Sequence, residues 1–510
     1  MTYNVKMNSI AGEISFNTTS KIVKVGDSYK IKWTSSDIFP DLLDNEKIRV
    51  ESIYSKRGTI FDRDSHTLAK DGNAYSIGII PSKMDETTNI KKLSQLLDIK
   101  ESTINEKINS EGKASNTFVQ LKKISKDNQE LKNEVLKIKG VMVTDTNVRI
   151  YPYKESISSL LGYVQNEDGI DGIEKIFNNS LKGQDGSKIY IEDENQNIKK
   201  VIKQKDKKDG NDIKLTIDIN LQQKLYNELK DDNGLSVSIN YKTGEILALV
   251  STKSYDNNIF SLGITDDEWK KMQEDESRPL YAKYLSTYVP GSTFKPIIAA
   301  IGLESSSFTK DDDFGKSNLK WQKDSSWGNF YVTTLENYEG TSNLENALVY
   351  SDNIYFAKAA LKIGKENLEK YLNKFYFNKN LDIDLLVKNS EYGTLDSEKE
   401  IANTGYGQAK VLVNPILMAS LYSMFANEGN MIKPYIEYED DESSKNKYLQ
   451  NNVISQETAN IIKEDLRKVV EDGTAKSCNI EGRKIYRKNW NRWDKKLTRW
   501  WKWYWNRMVW

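Results

Sequence analysis

Tyr288-Val289-Pro290-Gly291-Ser292-Thr293-Phe294-Lys295-Pro296 is the stretch that decides how this chain is read. Pro290-Gly291 breaks the preceding structure, and Ser292 is a good helix-start residue. The apolar run Ile297, Ile298, Ala299, Ala300 and Ile301 then continues as a buried helix would. Proline is tolerated only in a helix's first turn, so Pro296 fixes the N-terminus near Ser292. Ser292 and Lys295 are three apart and share one helix face. A hydroxyl there meets the positive end of the helix dipole and free N–H groups. A lysine desolvated beside it can lose its proton and act as base. That supplies a nucleophile and a base without histidine. The plainer reading is a capping serine and a surface lysine, because Ser-x-x-Lys alone is common.

Composition asks for a catalyst of this kind. The 510 residues hold 74 Lys+Arg and 74 Asp+Glu, but one histidine, His66, and one cysteine, Cys478. A single cysteine excludes a disulfide framework and a cysteine metal cluster. A single histidine leaves little material for a histidine-dependent triad or a zinc site. Zero net charge argues against nucleic acid as the main partner. No run of about 18 apolar residues occurs, so neither a transmembrane helix nor a signal peptide is expected.

The second candidate site is Ser351-Asp352-Asn353, a polar tripeptide between two apolar helical runs. Ser351 could relay a proton and Asn353 could bond a substrate amide. The plainer reading is an ordinary helix cap. Around these motifs, residues 213–486 are the most domain-like. Leu235–Asn240 and Ile246–Ser251 read as strands joined by the hairpin signature Tyr241-Lys242-Thr243-Gly244-Glu245. Helical patterns follow at 293–304, 344–363 and 415–427. A strand pair followed by many helices argues for an α+β fold. Residues 46–212 are charged, with helical patterns near 91–98 and 126–137, and Lys199–Asp212 reads as a linker or exposed hairpin. Residues 1–45 look β-rich and too few to bury a core alone.

Ser-x-x-Lys, Ser-Asp-Asn and then Lys-Thr-Gly is the motif order of penicillin-binding proteins and class A β-lactamases. The chain resembles a class B penicillin-binding protein of the low-affinity, methicillin-resistance type. Arg57-Gly58 with Asp62-Arg63 and Leu68-Ala69 fits that family's dimerisation domain. So do Arg149, Tyr151-Pro152-Tyr153, Leu161-Gly162-Tyr163 and Gly172-Ile173-Glu174. Gly405-Tyr406-Gly407-Gln408, Pro415 and Ala426-Asn427-Glu428-Gly429 fit its transpeptidase domain. Trp33 with Phe39-Pro40 is similar to the end of an NTF2-like module. The implied layout is a partial NTF2-like module at 1–45, a dimerisation domain at 46–212 and an incomplete transpeptidase domain at 213–486.

The resemblance implies a peptidoglycan D,D-transpeptidase. Ser292 would attack the D-Ala-D-Ala carbonyl of a stem peptide, and Lys295 would be the base. Ser351 and Asn353 would relay protons and position the substrate. The implied partners are peptidoglycan stem peptides, β-lactams and the cell-wall synthesis machinery, with no nucleic acid, cofactor or metal. The implied location is the outer face of the bacterial cell membrane, held by an anchor that this sequence is expected to lack at its front end.

The third motif is out of place. Lys242-Thr243-Gly244 precedes the nucleophile and sits in a hairpin, so it is a decoy. The true motif is due after Val469, where the chain reads Arg487-Lys488-Asn489-Trp490-Asn491. The permitted codons AGG AAA AAC TGG AAC, read one nucleotide later, give Gly-Lys-Thr-Gly. Every TGG then becomes a glycine codon. Seven of the eleven tryptophans lie in the last 21 residues: Trp490, Trp493, Trp500, Trp501, Trp503, Trp505 and Trp510. A frameshift at or just before Arg487 is therefore expected, with 487–510 an out-of-frame tail. That tail holds eight Lys/Arg against Asp494, so the coherent part of the chain is acidic. The expected consequences are loss of the motif's lysine and hydroxyl and of the later strands, poor solubility and weak or absent penicillin labelling. Taken at face value instead, basic residues among aromatics suit a membrane interface or single-stranded nucleic acid. Two other functions remain: a serine β-lactamase, disfavoured by 46–212, and a non-catalytic cell-wall scaffold or β-lactam sensor.

Overall fold

The computed structural model describes residues 1–316, 318–438 and 447–489. The tryptophan-rich tail from Trp490 to Trp510 lies outside the described residues. The chain divides into two units, one of residues 1–60, 67–150 and 164–213, the other of 61–66, 151–163 and 214 onward.

In the first unit, the hairpins Thr2–Ser9 with Gly12–Thr19 and Lys21–Val25 with Ser28–Lys32 precede a three-stranded antiparallel sheet. That sheet runs in the order Ile198–Lys205, Gly186–Glu192, Lys47–Ile53. Ala11, Ile14, Phe39 and Leu42 share a small core with Ile189 and Ile191. The first 45 residues thus borrow apolar partners from a strand far along the chain, as their shortage of core requires. The charged stretch after Lys199 is largely the exposed strand of this sheet. A larger core forms where the strand Thr67–Ile79 pairs with Val119–Ser125 and Val141–Ile150. Leu93 and Leu97 of the helix Ile90–Leu97 and Ile104 and Ile108 of Glu101–Glu111 pack with Ile77 and Ile79. The buried Glu174 carboxylate pairs with Arg57 at 2.7 Å and Arg149 at 2.8 Å. Two guanidiniums about one carboxylate offset its desolvation.

The second unit carries both candidate motifs. Leu235–Ile239 and Ile246–Ser251 pair antiparallel, and among the described residues no third strand joins them. The literal Lys242-Thr243-Gly244 forms the turn between them. Gly244 has φ +88°, and a Cβ there would sit 2.2 Å from the Lys433 carbonyl oxygen, so only glycine fits. Thr243 Oγ1 donates to Glu245, which pairs with Arg63 at 3.0 Å. This copy of the motif is committed to its own hairpin. The principal helices are Ile219–Leu229, Lys295–Glu304, Leu344–Val349, Asn353–Lys374, Glu398–Gly405, Pro415–Ser423 and Gln456–Glu471. Asn353–Lys374 breaks at Gly364. Helix Lys295–Glu304 packs against both Asn353–Lys374 and Gln456–Glu471. Helices with antiparallel strand pairs make the architecture α+β.

Candidate active site

Pro290 is followed by a tight 3₁₀ turn, Gly291–Phe294, and the α-helix starts at Lys295 with Pro296 in its first turn. The sequence placed the helix start near Ser292. The 3₁₀ turn takes up the difference, as it commonly does at helix N-termini. Lys295 to Gly302 is buried throughout, which suits a helix apolar on all faces.

The turn is held from several sides. Gly291 N–H donates to the Gly407 carbonyl at 2.8 Å. Gly407 has φ +71°, and a Cβ on it would lie 2.2 Å from Gly291 O, so a side chain would push the turn away. Tyr422 OH donates to Thr293 O at 2.7 Å, and Thr293 Oγ1 to Pro290 O at 2.6 Å. The Gly405-Tyr406-Gly407-Gln408 segment therefore backs the serine's turn.

Ser292 is 3% exposed and Lys295 0%. Lys295 Nζ donates to Ser351 O at 2.6 Å and to Ser351 Oγ at 3.0 Å. The structure thus joins Lys295 to Ser351. Lys295 N–H donates to the Ser292 carbonyl, but among the described residues no hydrogen bond joins the Ser292 hydroxyl to Lys295 or Ser351. Ser351 sits in the left-handed region at φ +56°, between two helices. Asp352 caps the second of them, its Oδ1 accepting from Ile354 N at 2.8 Å and Tyr355 N at 3.2 Å. Asn353 Nδ2 donates to Thr333 O at 2.8 Å, so its amide holds the short strand Val332–Thr333.

Lys488 was missed. The sequence reading gave up the third motif's lysine, yet the structure buries Lys488 at 3% exposure, close enough for its charge to act on Lys295. The available signal was the position of Lys488, in the Arg487-Lys488-Asn489 stretch where the third motif is due. Burial holds Lys295 well below the ordinary lysine range; the charge of Lys488 lowers it further and Asp352 opposes. Burial pushes Lys488 down to about 7, and its Nζ has no hydrogen-bond partner among the described residues.

These shifts fix a pH dependence. A buried lysine with a depressed pKa leaves the unfolded chain binding the extra proton, so stability rises with pH between the folded and unfolded values. For Lys488 that window opens near 7 and closes near an unfolded value of about 10.4. Lys488→Met should remove a slope of about 1 kcal/mol per pH unit across it. Thermal melts at pH 7 to 10 read this, and an unchanged slope would contradict it.

Asp62, Asp64 and His66 form a group of possible metal ligands. However, Asp62 already accepts from Asp64 N, His66 N and His66 Nδ1, so it organises its own loop.

A family model for the penicillin binding protein transpeptidase domain matches residues 234–489, which span Ser292, Lys295, Ser351 and Lys488. The chain belongs to the penicillin-binding protein transpeptidase family. Family models for the penicillin-binding protein dimerisation domain and the NTF2-like N-terminal transpeptidase domain match 52–215 and 1–46. Penicillin-binding protein 3 of Bacillus subtilis is 38% identical, covering 94% of this chain and 75% of that protein. Stage V sporulation protein D of the same organism is 28% identical, over 84% and 68%. Peptidoglycan D,D-transpeptidase MrdA of Escherichia coli K12 is 26% identical, over 81% and 71%. The transpeptidase match runs two residues past Arg487, so it takes in Lys488. Among the described residues no helix is long and apolar enough to cross a membrane.

Proposed function

We propose that this penicillin-binding protein is a serine-type peptidoglycan D,D-transpeptidase acting through an acyl-enzyme on Ser292. The observation that carries this reading is the buried Lys295, its amine shifted toward neutrality and bonded to Ser351. Neutral Lys295 takes the Ser292 proton as Oγ attacks the D-Ala-D-Ala carbonyl. Ser351 passes a proton to the departing nitrogen, the C–N bond breaks and D-Ala leaves. The amine of a second stem peptide then attacks the ester, forms the cross-link and frees Ser292. A β-lactam follows the same first step, but its leaving nitrogen stays tethered. Lys488, whose Nζ has no hydrogen-bond partner among the described residues, offers a donor to a ligand carboxylate. Asn353 shapes the cleft wall through Thr333.

The relatives named penicillin-binding protein and peptidoglycan D,D-transpeptidase support this reading. The NTF2-like match supports the low-affinity type. The cell-wall synthesis machinery at the outer face of the membrane is the fitting context. Impairment belongs to the same proposal. Lys488 stays in place, but Asn489 and Trp490 stand where Thr and Gly are due, and a frameshift at or just before Arg487 accounts for both.

Prolonged exposure to excess fluorescent penicillin should give a faint adduct at Ser292, absent from Ser292→Ala. Equal labelling of the variant, or no adduct in the parent, would sink the acyl-enzyme reading for this chain. Rapid turnover of a chromogenic β-lactam would point to a β-lactamase.

A further inference from the structure

Ser351 owes its place to a residue that neither motif contains. Its left-handed φ of +56° is costly for a residue with a side chain, so its neighbours must hold it there. Tyr338, on the loop after Thr334, touches both neighbours. Its ring stacks on Tyr350 with centroids 4.7 Å apart and planes within 4°. Its hydroxyl donates to Asp352 Oδ2 at 3.0 Å, with Ser342 Oγ at 3.3 Å. The other Asp352 oxygen caps the following helix, so one carboxylate is shared between helix and loop. Ser351 is therefore bracketed on both sides by one tyrosine. Tyr338 is half-buried, whereas Leu335, Glu336, Asn337, Glu339 and Gly340 around it are exposed. Its loop reaches the site through this one side chain.

We propose that Tyr338 is a positioning residue for acylation, holding Ser351 against Lys295 and drawing the Asp352 charge away from the Lys295 amine. The proposal rests on the acyl-enzyme reading above. The charged groups facing Lys295 are Lys488, from the segment after helix Gln456–Glu471, and Asp352, at the start of helix Asn353–Lys374. Asp352 favours the protonated amine and Lys488 opposes it. A hydroxyl donated to Asp352 spreads its negative charge. Without that bond, the full charge bears on Lys295 and raises its pKa, so the base is neutral only at higher pH.

Two variants separate the stack from the bond. Tyr338→Ala loses both, and should raise amide exchange across residues 349–355 and slow penicillin acylation about tenfold or more. Tyr338→Phe keeps the stack, so exchange should stay near parental. Its acylation plateau should hold within about threefold, while the acid limb of its pH profile moves up by about half a unit. Unchanged exchange in Tyr338→Ala would overturn the clamp, and an unmoved acid limb in Tyr338→Phe would overturn the electrostatic part. Should the parent give no Ser292 adduct, the acyl-enzyme reading falls, while the exchange measurement still decides the clamp by itself.

Discussion

A chain restored to the shifted frame from codon 487, carrying Gly-Lys-Thr-Gly at 487–490, is expected to be acylated by penicillin about 10²–10³ times faster than the chain as written. That is the usual effect of one oxyanion-hole donor, which the resemblance to penicillin-binding proteins implies for the third-motif strand beside Ser292. The lysine contributes nothing to the gain, because Lys488 is already buried near Lys295. The gain comes from a threonine hydroxyl in place of Asn489 and from a strand that can pair with the open sheet. Local frustration marks the spot. Asn489 spends its amide on Thr474 O at 2.6 Å. Meanwhile Asn489 Oδ1, Thr474 Oγ1 and Lys488 Nζ are buried without hydrogen-bond partners among the described residues. Orphaned polar atoms in such a cluster are rare in native proteins. A restored strand would also cover the edge beside Leu235–Ile239, so soluble yield should rise. Time-resolved labelling of both chains measures the ratio, and equal rates would defeat the proposal. So would genomic DNA whose codons cannot give Lys-Thr-Gly in a shifted frame.

Much of this site could be read from residue order. Pro290, Gly291 and Pro296 fix a helix start by local sterics, which act within a few residues, and the start lies within one turn of where they put it. Tyr241–Glu245 reads as a hairpin and is one. Asp352 reads as a cap and is one. Contacts between distant segments could not be read this way. Nothing near Gly407 states that it touches Gly291, and nothing near Tyr338 states that it brackets Ser351. These depend on how helices pack, and many sequences satisfy a packing. Glu174 lies between: Arg57, Arg149 and Glu174 stand out by resemblance, but only the fold shows that one carboxylate serves both guanidiniums. Lys488 escaped for another reason. Without the threonine and glycine of the motif beside it, nothing in residue order beyond its position marks this lysine, and only the fold shows it buried near Lys295.

Lys295→Met is expected to separate function from stability. Acylation should fall by about 10²–10⁴, the worth of a positioned general base. Stability should rise instead of falling. Lys295 is fully buried, and the nearest charges act in opposite directions, Lys488 against its proton and Asp352 for it. Burial holds Lys295 well below the ordinary lysine range, so the fold carries the cost of keeping it neutral. Methionine has similar length, fills the space beside Phe356 and carries no such cost. What it forfeits is the pair of hydrogen bonds to Ser351, about 1–3 kcal/mol once the stranded carbonyl is included. Full burial makes desolvation the leading influence on this amine, so the variant should melt higher at pH 7. The sign also fixes how the gain varies with pH. Above about 10.4 the unfolded lysine is neutral too, so the advantage should shrink as pH rises from 7 toward 10. Ser351→Ala is the matched control, losing acylation with no such gain because the buried amine remains. Paired melts and labelling rates decide the matter: a Lys295→Met chain that is both inactive and less stable at pH 7 would mean that the lysine is a structural strut and not a base held at the fold's expense.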